Sequence, residues 1–331
     1  YSLAQKLSFS AMKRPLYFLK NPFLLRLVVG IGLGLWIWGV GMLGAIATDF
    51  KGSIDFHVHS APDVTARLYD DLELVENAAQ AGMQALVLKN HFTPTADRAV
   101  LAHKVVPDME VYGGVVLNET VGGLNLRAVE TMDRLGEGRG KVVWLPTIDA
   151  AHHRQTLNHR FGGLRVARYG HLVPEMPDIL QYIAAHNLVL GTGHISPAEI
   201  LTVVPAAKQL GVEKILITHA MATVPGLTLA QMQAIADQGA FLELTYVNTL
   251  MGENATEADH QAWENVSIET MAKAIQTIGA THFVLSTDLG RALDPSPIEG
   301  YQRFLEQLAA AGISEADLYL MSHTNPEKLL Q

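Results

Sequence analysis

The chain contains no cysteine. Disulfides and thiolate metal sites are therefore excluded, and a transition-metal site has to be built from histidine, carboxylate or a modified lysine. Charge is sparse. Asp, Glu, Lys and Arg make up 17% of the 331 residues, against 49% hydrophobic ones, a balance that fills a sizeable core and argues against general disorder. Nor is there a basic excess: the formal net charge is −9, which excludes a nucleic-acid footprint, since that needs a basic face. No Gly-x-Gly-x-x-Gly follows the first apolar run, so a doubly wound nucleotide-binding sheet is only the runner-up fold.

One stretch lacks charge altogether. From Leu27 to Thr48 there is no Asp, Glu, Lys or Arg, while Lys13, Arg14, Lys20 and Arg26 precede it and Asp49 follows. Such a run is long enough for a bilayer core of ~30 Å. The basic flank would keep the start in the cytoplasm and export the rest, and Ala45-Ile46-Ala47 resembles a small-x-small cleavage site. The expectation is a signal or transmembrane segment over 1–49 and a membrane-anchored or exported (periplasmic or extracellular) domain over 50–331. If the run is only a buried helix, the protein is cytoplasmic.

What is present after residue 50 is alternation. Apolar runs at 54–60, 85–91, 111–118, 141–149, 188–194, 214–219, 240–246 and 282–288 read as strands; continuous rather than alternating runs fit strands buried on both faces, as in parallel sheets. Between them lie helical patterns at 70–81 (ended by Gly82), 125–135, 175–186, 262–278 and 297–311, with a short one at 314–320. Ser196-Pro197-Ala198-Glu199 and Thr228-Leu229-Ala230-Gln231 read as capping boxes opening two more. Residues 150–174 show no periodicity and carry several Arg and His, which suggests a functional loop or a lid for a phosphate or carboxylate. Eight βα units in this length predict a (β/α)8 TIM barrel.

In such barrels chemistry sits at the C-terminal strand ends. Here those ends read His57 and His59, Lys89 and His91, Asn118-Glu119, Asp149, His194, His219, Glu243 and Asp288. His57 and His59 are two apart on a strand and so face the same way. Neutral imidazoles plus a carboxylate suit Zn²⁺, with Mn²⁺ also admitted, and leave room for a water whose pKa the metal lowers to ~7. A carboxylate beside it can take the proton and pass it on.

The pattern resembles the amidohydrolase superfamily of metal-dependent hydrolases. The residues that carry the resemblance are His57-x-His59, His194, His219, Ser286-Thr287-Asp288, the His59-to-Asp63 stretch His-Ser-x-Pro-Asp and the closing Asn325-Pro326-Glu327-Lys328-Leu329. It implies that His57, His59, His194, His219 and Asp288 hold one or two divalent ions and that Asp288 is also the general base. A departure accompanies it. Two-metal members carry a carboxylated Lys or a Glu on strand four, whereas strand four here has only Lys141 at its start. Lys89, on strand two, either becomes the carboxylated bridge or stays cationic and holds an anionic small-molecule substrate. The expected function is hydrolysis of an amide, ester, lactone or phosphoester. The alternatives are a phosphoesterase of the polymerase-and-histidinol-phosphatase (PHP) type and a non-catalytic metal- or ligand-binding barrel at the membrane. No His-x-x-Glu accompanies His219, which disfavours a nucleobase deaminase.

Overall fold

The computed structural model describes residues 50–331. The expected signal or transmembrane segment lies outside the described residues, and among the described residues no helix is long and apolar enough to cross a membrane.

The expected barrel is present. Strands β1 (Ile54–Val58), β2 (Ala85–Leu88), β3 (Glu110–Val116) and β4 (Gly140–Trp144) are followed by a short hairpin of β5 (Ala167–Arg168) and β6 (His171–Leu172); β7 (Val189–Gly191), β8 (Ile215–Ile217), β9 (Phe241–Thr245) and β10 (Phe283–Ser286) complete the sheet. The eight barrel strands pair in the order β1-β2-β3-β4-β7-β8-β9-β10, all in parallel. The ends meet: the His59 N–H donates to Leu289 O (2.9 Å) and the Asp288 N–H to His57 O (2.7 Å). Closure thus places the first and last candidate ligands side by side.

The continuous apolar runs are explained by two buried layers. Ile54, Phe56, Val87, Val116, Val142, Trp144, Leu216 and Val284 fill the inside, and Val58, Leu86, Leu88, Val143, Leu190, Ile217 and Leu285 join the cluster shared with the helices. Those helices are α1 (Asp71–Ala81), α2 (Ala96–Val105), α3 (Leu126–Leu135), α4 (Ala151–Thr156), α5 (Met176–Ala185), α6 (Pro197–Gln209), α7 (Leu229–Ala236), α8 (Ile268–Ile278), α9 (Pro297–Ala310), α10 (Glu315–Tyr319) and α11 (Asn325–Leu330). The capping boxes form at Asp70, Ser196 and Thr228. The last helix closes the lower end: Asn325 Nδ2 donates to Ala280 O and Phe283 O, while Leu329 and Leu330 pack into the inner cluster. Burial of such a leucine contributes about 1.5–3 kcal/mol.

Three expectations need correction. The strands are shorter than the apolar runs, so His59, Lys89, His91, Asp149, His194, His219 and Asp288 sit in the turns just beyond them. The segment 150–174 is not irregular, since it contains α4 and the β5–β6 hairpin. Residues 262–267 are not helical: α8 starts only after Ser267, whose side chain accepts from the Thr270 N–H.

Candidate metal centre

The site is built on the upper rim. Trp144, at the end of β4, is its floor, and two glycines make room for that indole. A Cβ on Gly191 would lie 2.4 Å from Trp144 Cδ1, and one on Gly114 would lie 2.8 Å from Trp144 Cζ3. His57 stands over it, with ring centroids 6.3 Å apart. A register irregularity in β1 between Asp55 and Val58 breaks strict alternation. Buried Asp55, pushed up to about 7 by desolvation, accepts from the His57 N–H and from the Thr287 N–H and hydroxyl, and so ties β1 to β10.

Three turns converge above this floor. Asp288 Oδ1 lies 2.8 Å from His57 Nε2 and 2.9 Å from His59 Nε2, and its Oδ2 lies 3.2 Å from His219 Nε2. One ligand atom from each of His57, His219 and Asp288 falls within 4.8 Å of the others. His219 and Asp288 both have left-handed backbones, at φ 50° and 53°. Non-glycine residues hold that conformation at a cost of about 1–3 kcal/mol each, which surrounding packing has to offset.

The partners of the other ring nitrogens set the tautomers. Glu243 on β9, fully buried, has Oε1 3.2 Å from His57 Nδ1, and its Oε2 accepts from the His219 N–H at 3.1 Å. Burial works to raise the Glu243 carboxyl, but the charge and hydrogen bond of His57 bring it below its ordinary value, so it is an acceptor and His57 Nδ1 carries the proton. Thr245 donates its hydroxyl to Asn248 Oδ1 (2.7 Å) and has Oγ1 3.2 Å from His219 Nδ1; its proton is used, so it accepts from Nδ1–H. Both arrangements leave Nε2 as the atom that His57 and His219 turn towards Asp288. His194 Nδ1 lies 2.8 Å from His153 Nδ1, with the rings stacked at 4.9 Å. Its Nε2 is buried and has no hydrogen-bond partner.

Burial dominates the titration. It lowers His219 to about 4 and places His59, His91 and His194 well below the ordinary histidine value. His57 differs: burial lowers it, but the charges of Asp288 and Glu243 more than reverse this. Asp288 is raised by burial, yet the charges of His57 and His219 hold it well below the carboxylate range. These residues fit a divalent cation in three respects: buried imidazoles that burial keeps neutral at His59, His194 and His219, an ionised carboxylate and an orphaned Nε2. Two contacts compete. Lys89, fully buried and lowered by desolvation, has Nζ 2.9 Å from His57 Nε2, and Arg67 Nη2 lies 3.3 Å from His59 Nδ1.

The weaker sequence candidates separate. Glu243 faces the cluster. His91 lines the cavity, with Nδ1 2.9 Å from Thr147 Oγ1. Asp149 does not line it; its oxygens accept from Arg154 and from the Glu119 N–H. Asn118 is a scaffold, donating to His91 O and Thr147 Oγ1. The cavity of about 430 Å³ takes His153, Leu157 and Asn158 from the segment expected to be a lid. The arginines of that segment do not reach it: Arg165 and Arg168 border a separate groove. Arg67, His260, Trp263 and Arg291, which line the cavity, are not among the site residues the sequence suggests. The one available hint was Asp63-x-x-x-Arg67, an i,i+4 ion pair of 2.7 Å that follows the His-Ser-x-Pro-Asp stretch.

Similar barrels occur in solved structures. An amidohydrolase from Pseudomonas aeruginosa is 14% identical, with a TM-score of 0.56 over 85% of this chain and 95% of that one. Organophosphorus hydrolase from Deinococcus radiodurans is 16% identical, at 0.54 over 86% and 94%. An amidohydrolase from Burkholderia multivorans with bound zinc is 13% identical, at 0.53 over 84% and 98%. At these identities the likeness shows the barrel fold alone. Among curated proteins no sequence matches. A family profile matches residues 52–243, spanning β1 to β9 and most of the metal-centre candidates, and since that is more than half of its length, the chain belongs to the Family of unknown function (DUF6282).

Proposed function

We propose that the protein is a metal-dependent hydrolase of a small molecule, cleaving an amide, ester, lactone or phosphoester bond. The observation that supports this most is the approach of His57, His219 and Asp288 from three separate strand ends to within 4.8 Å, with the partnerless His194 Nε2 beside them. In this reading His57, His59, His194, His219 and Asp288 hold one or two divalent ions, with zinc preferred by the imidazole-rich donor set. A cation there supplies Lewis acidity and lowers the pKa of a bound water towards ~7.

The chain's own residues do the rest. Glu243 and Thr245 fix the tautomers of His57 and His219. Asp288 reaches three imidazoles and is the group placed to receive the water's proton and deliver it to the leaving atom. Lys89 Nζ and a cation compete for His57 Nε2, so loading requires Lys89 to give up that contact, either by turning away or by carboxylation. Burial over Trp144 keeps water from the amine and favours its uncharged form. The neighbours on this barrel type include an organophosphorus hydrolase and an amidohydrolase with bound zinc. The eight-stranded sheet weighs against the PHP alternative.

The test is a screen of amides, lactones and phosphoesters with added Zn²⁺ or Mn²⁺, repeated on Asp288→Asn. Turnover that needs metal, and that Asp288→Asn abolishes while retaining part of the metal, supports the reading. Undiminished turnover in the variant removes Asp288 from the mechanism. Metal binding without any turnover favours a binding barrel. The membrane-anchored or exported location remains a proposal, testable by fractionating cells that make the full chain.

A further inference from the structure

The cavity's outer wall carries a charge pattern that the metal centre does not use. Arg67 follows β1 and Arg291 follows β10, yet their backbones pair in an isolated antiparallel bridge, with the Leu68 N–H donating to Gly290 O at 3.0 Å. Residues opposite each other in such a bridge project to the same face, and both arginines line the cavity. Two adjacent guanidiniums repel, and Arg67, with a side chain only 3% exposed, is lowered first by burial, with Arg291 adding to the effect. Each keeps a single carboxylate: Asp63 at 2.7 Å from Arg67 and Asp259 at 3.0 Å from Arg291. A guanidinium has five N–H donors in a planar fork, more than one such partner uses.

His91 adds a donor to the same wall. Asn118 Nδ2 donates to Thr147 Oγ1 (2.8 Å), so the Thr147 hydroxyl proton is available to His91 Nδ1 at 2.9 Å. That leaves His91 with Nε2–H. The position is close to the chemistry: Arg67 Nη2 is 3.3 Å from His59 Nδ1, and His59 Nε2 is 2.9 Å from Asp288 Oδ1. One imidazole ring separates the guanidinium from the proton relay. Trp263 lines the same cavity, with its ring 5.7 Å from His194 and 6.1 Å from His219.

We propose that the substrate is a small carboxylic acid. Its carboxylate is gripped by Arg67 and Arg291 next to the bond that reacts, and its flat body lies against Trp263. A planar monoanion suits two guanidiniums that each already hold one carboxylate, whereas a phosphoryl dianion would meet Asp63 and Asp259 as like charges. This rests on the hydrolase reading of the same cavity and narrows it.

The test measures binding rather than turnover. Benzoate, benzamide and phenyl phosphate are titrated calorimetrically into the full chain, both zinc-loaded and chelator-treated. Benzoate is expected to bind at least about tenfold tighter than benzamide in both forms, and Arg291→Met to remove about tenfold of that affinity while Arg291→Lys keeps part of it. Circular dichroism of the variants checks the fold. Equal affinity for acid and amide overturns the proposal. So does a preference that vanishes without zinc, because the carboxylate would then sit on the metal, and so does tighter binding of phenyl phosphate. If benzoate selectivity holds but no substrate turns over, the carboxylate site stands and the hydrolase reading falls. Metal-dependent hydrolysis of neutral esters with no acid selectivity gives the reverse.

Discussion

Replacing Glu243 by Gln changes one atom and tests how the centre is set. Both carboxylate oxygens face donors: His57 Nδ1 at 3.2 Å and the His219 N–H at 3.1 Å. An amide offers one acceptor oxygen, so in either orientation one buried donor meets an NH2 group. If that group faces His57, Nδ1 has to accept, the proton is held on Nε2, and the lone pair a cation would take there is lost. If it faces His219, the turn that carries that candidate ligand loses its hydrogen bond. An unsatisfied buried donor costs about 1–3 kcal/mol, or roughly 5- to 150-fold in an equilibrium constant, and loss of a ligand's supporting partner typically costs about 10–100-fold in metal affinity. Competition against a chromophoric chelator reads zinc affinity directly, and urea unfolding of the metal-free protein checks the fold. A drop of about tenfold or more is expected; affinity within about twofold of wild type, with the fold intact, would refute the tautomer argument.

Three further outcomes follow from the geometry. Thr245→Val removes the acceptor of His219 Nδ1–H and is expected to weaken zinc binding by about tenfold, with smaller loss in Thr245→Ser, by the same competition assay. Gly191→Ala drives a methyl to 2.4 Å from Trp144 Cδ1; overpacking of about 1–3 kcal/mol should lower the melting temperature by several degrees. The third concerns pH in the metal-free protein. His219 and His153 are lowered to about 4 by burial, so the unfolded chain, titrating near 6.5, binds more protons than the folded one over that window. Stability should therefore fall as pH drops from about 6.5 towards 4, on the order of 1.4 kcal/mol per unit for each such histidine, with Asp55, raised to about 7 in the fold, opposing part of it over the same window. Urea unfolding across this range checks it, and a flat profile would contradict the burial argument.

The barrel was legible because each strand must be apolar on both faces, and eight such runs survive in the sequence. The candidate ligands were legible for the same reason: His57, His194, His219 and Asp288 interrupt or end those runs. The tautomer-setting partners were less so. Glu243 was visible as a strand-end carboxylate, but nothing local says it serves His57, 186 positions away. Thr245 looks like an ordinary strand threonine. The left-handed turns at His219 and Asp288 have no propensity signal, since local preference opposes them. Arg67 and Arg291 come together only through barrel closure, and Trp263 was absorbed into a helical pattern over 262–278 whose helix begins only after Ser267. The surface-loop arginines were visible and misleading, because charge in a sequence does not say which rim it lines.

The most direct test is anomalous scattering at the zinc edge from crystals of the zinc-loaded full chain. A strong peak in contact with His57, His219 and Asp288 is the expected result. Zinc found only on surface histidines, with that cluster left to its internal hydrogen bonds, would contradict the account.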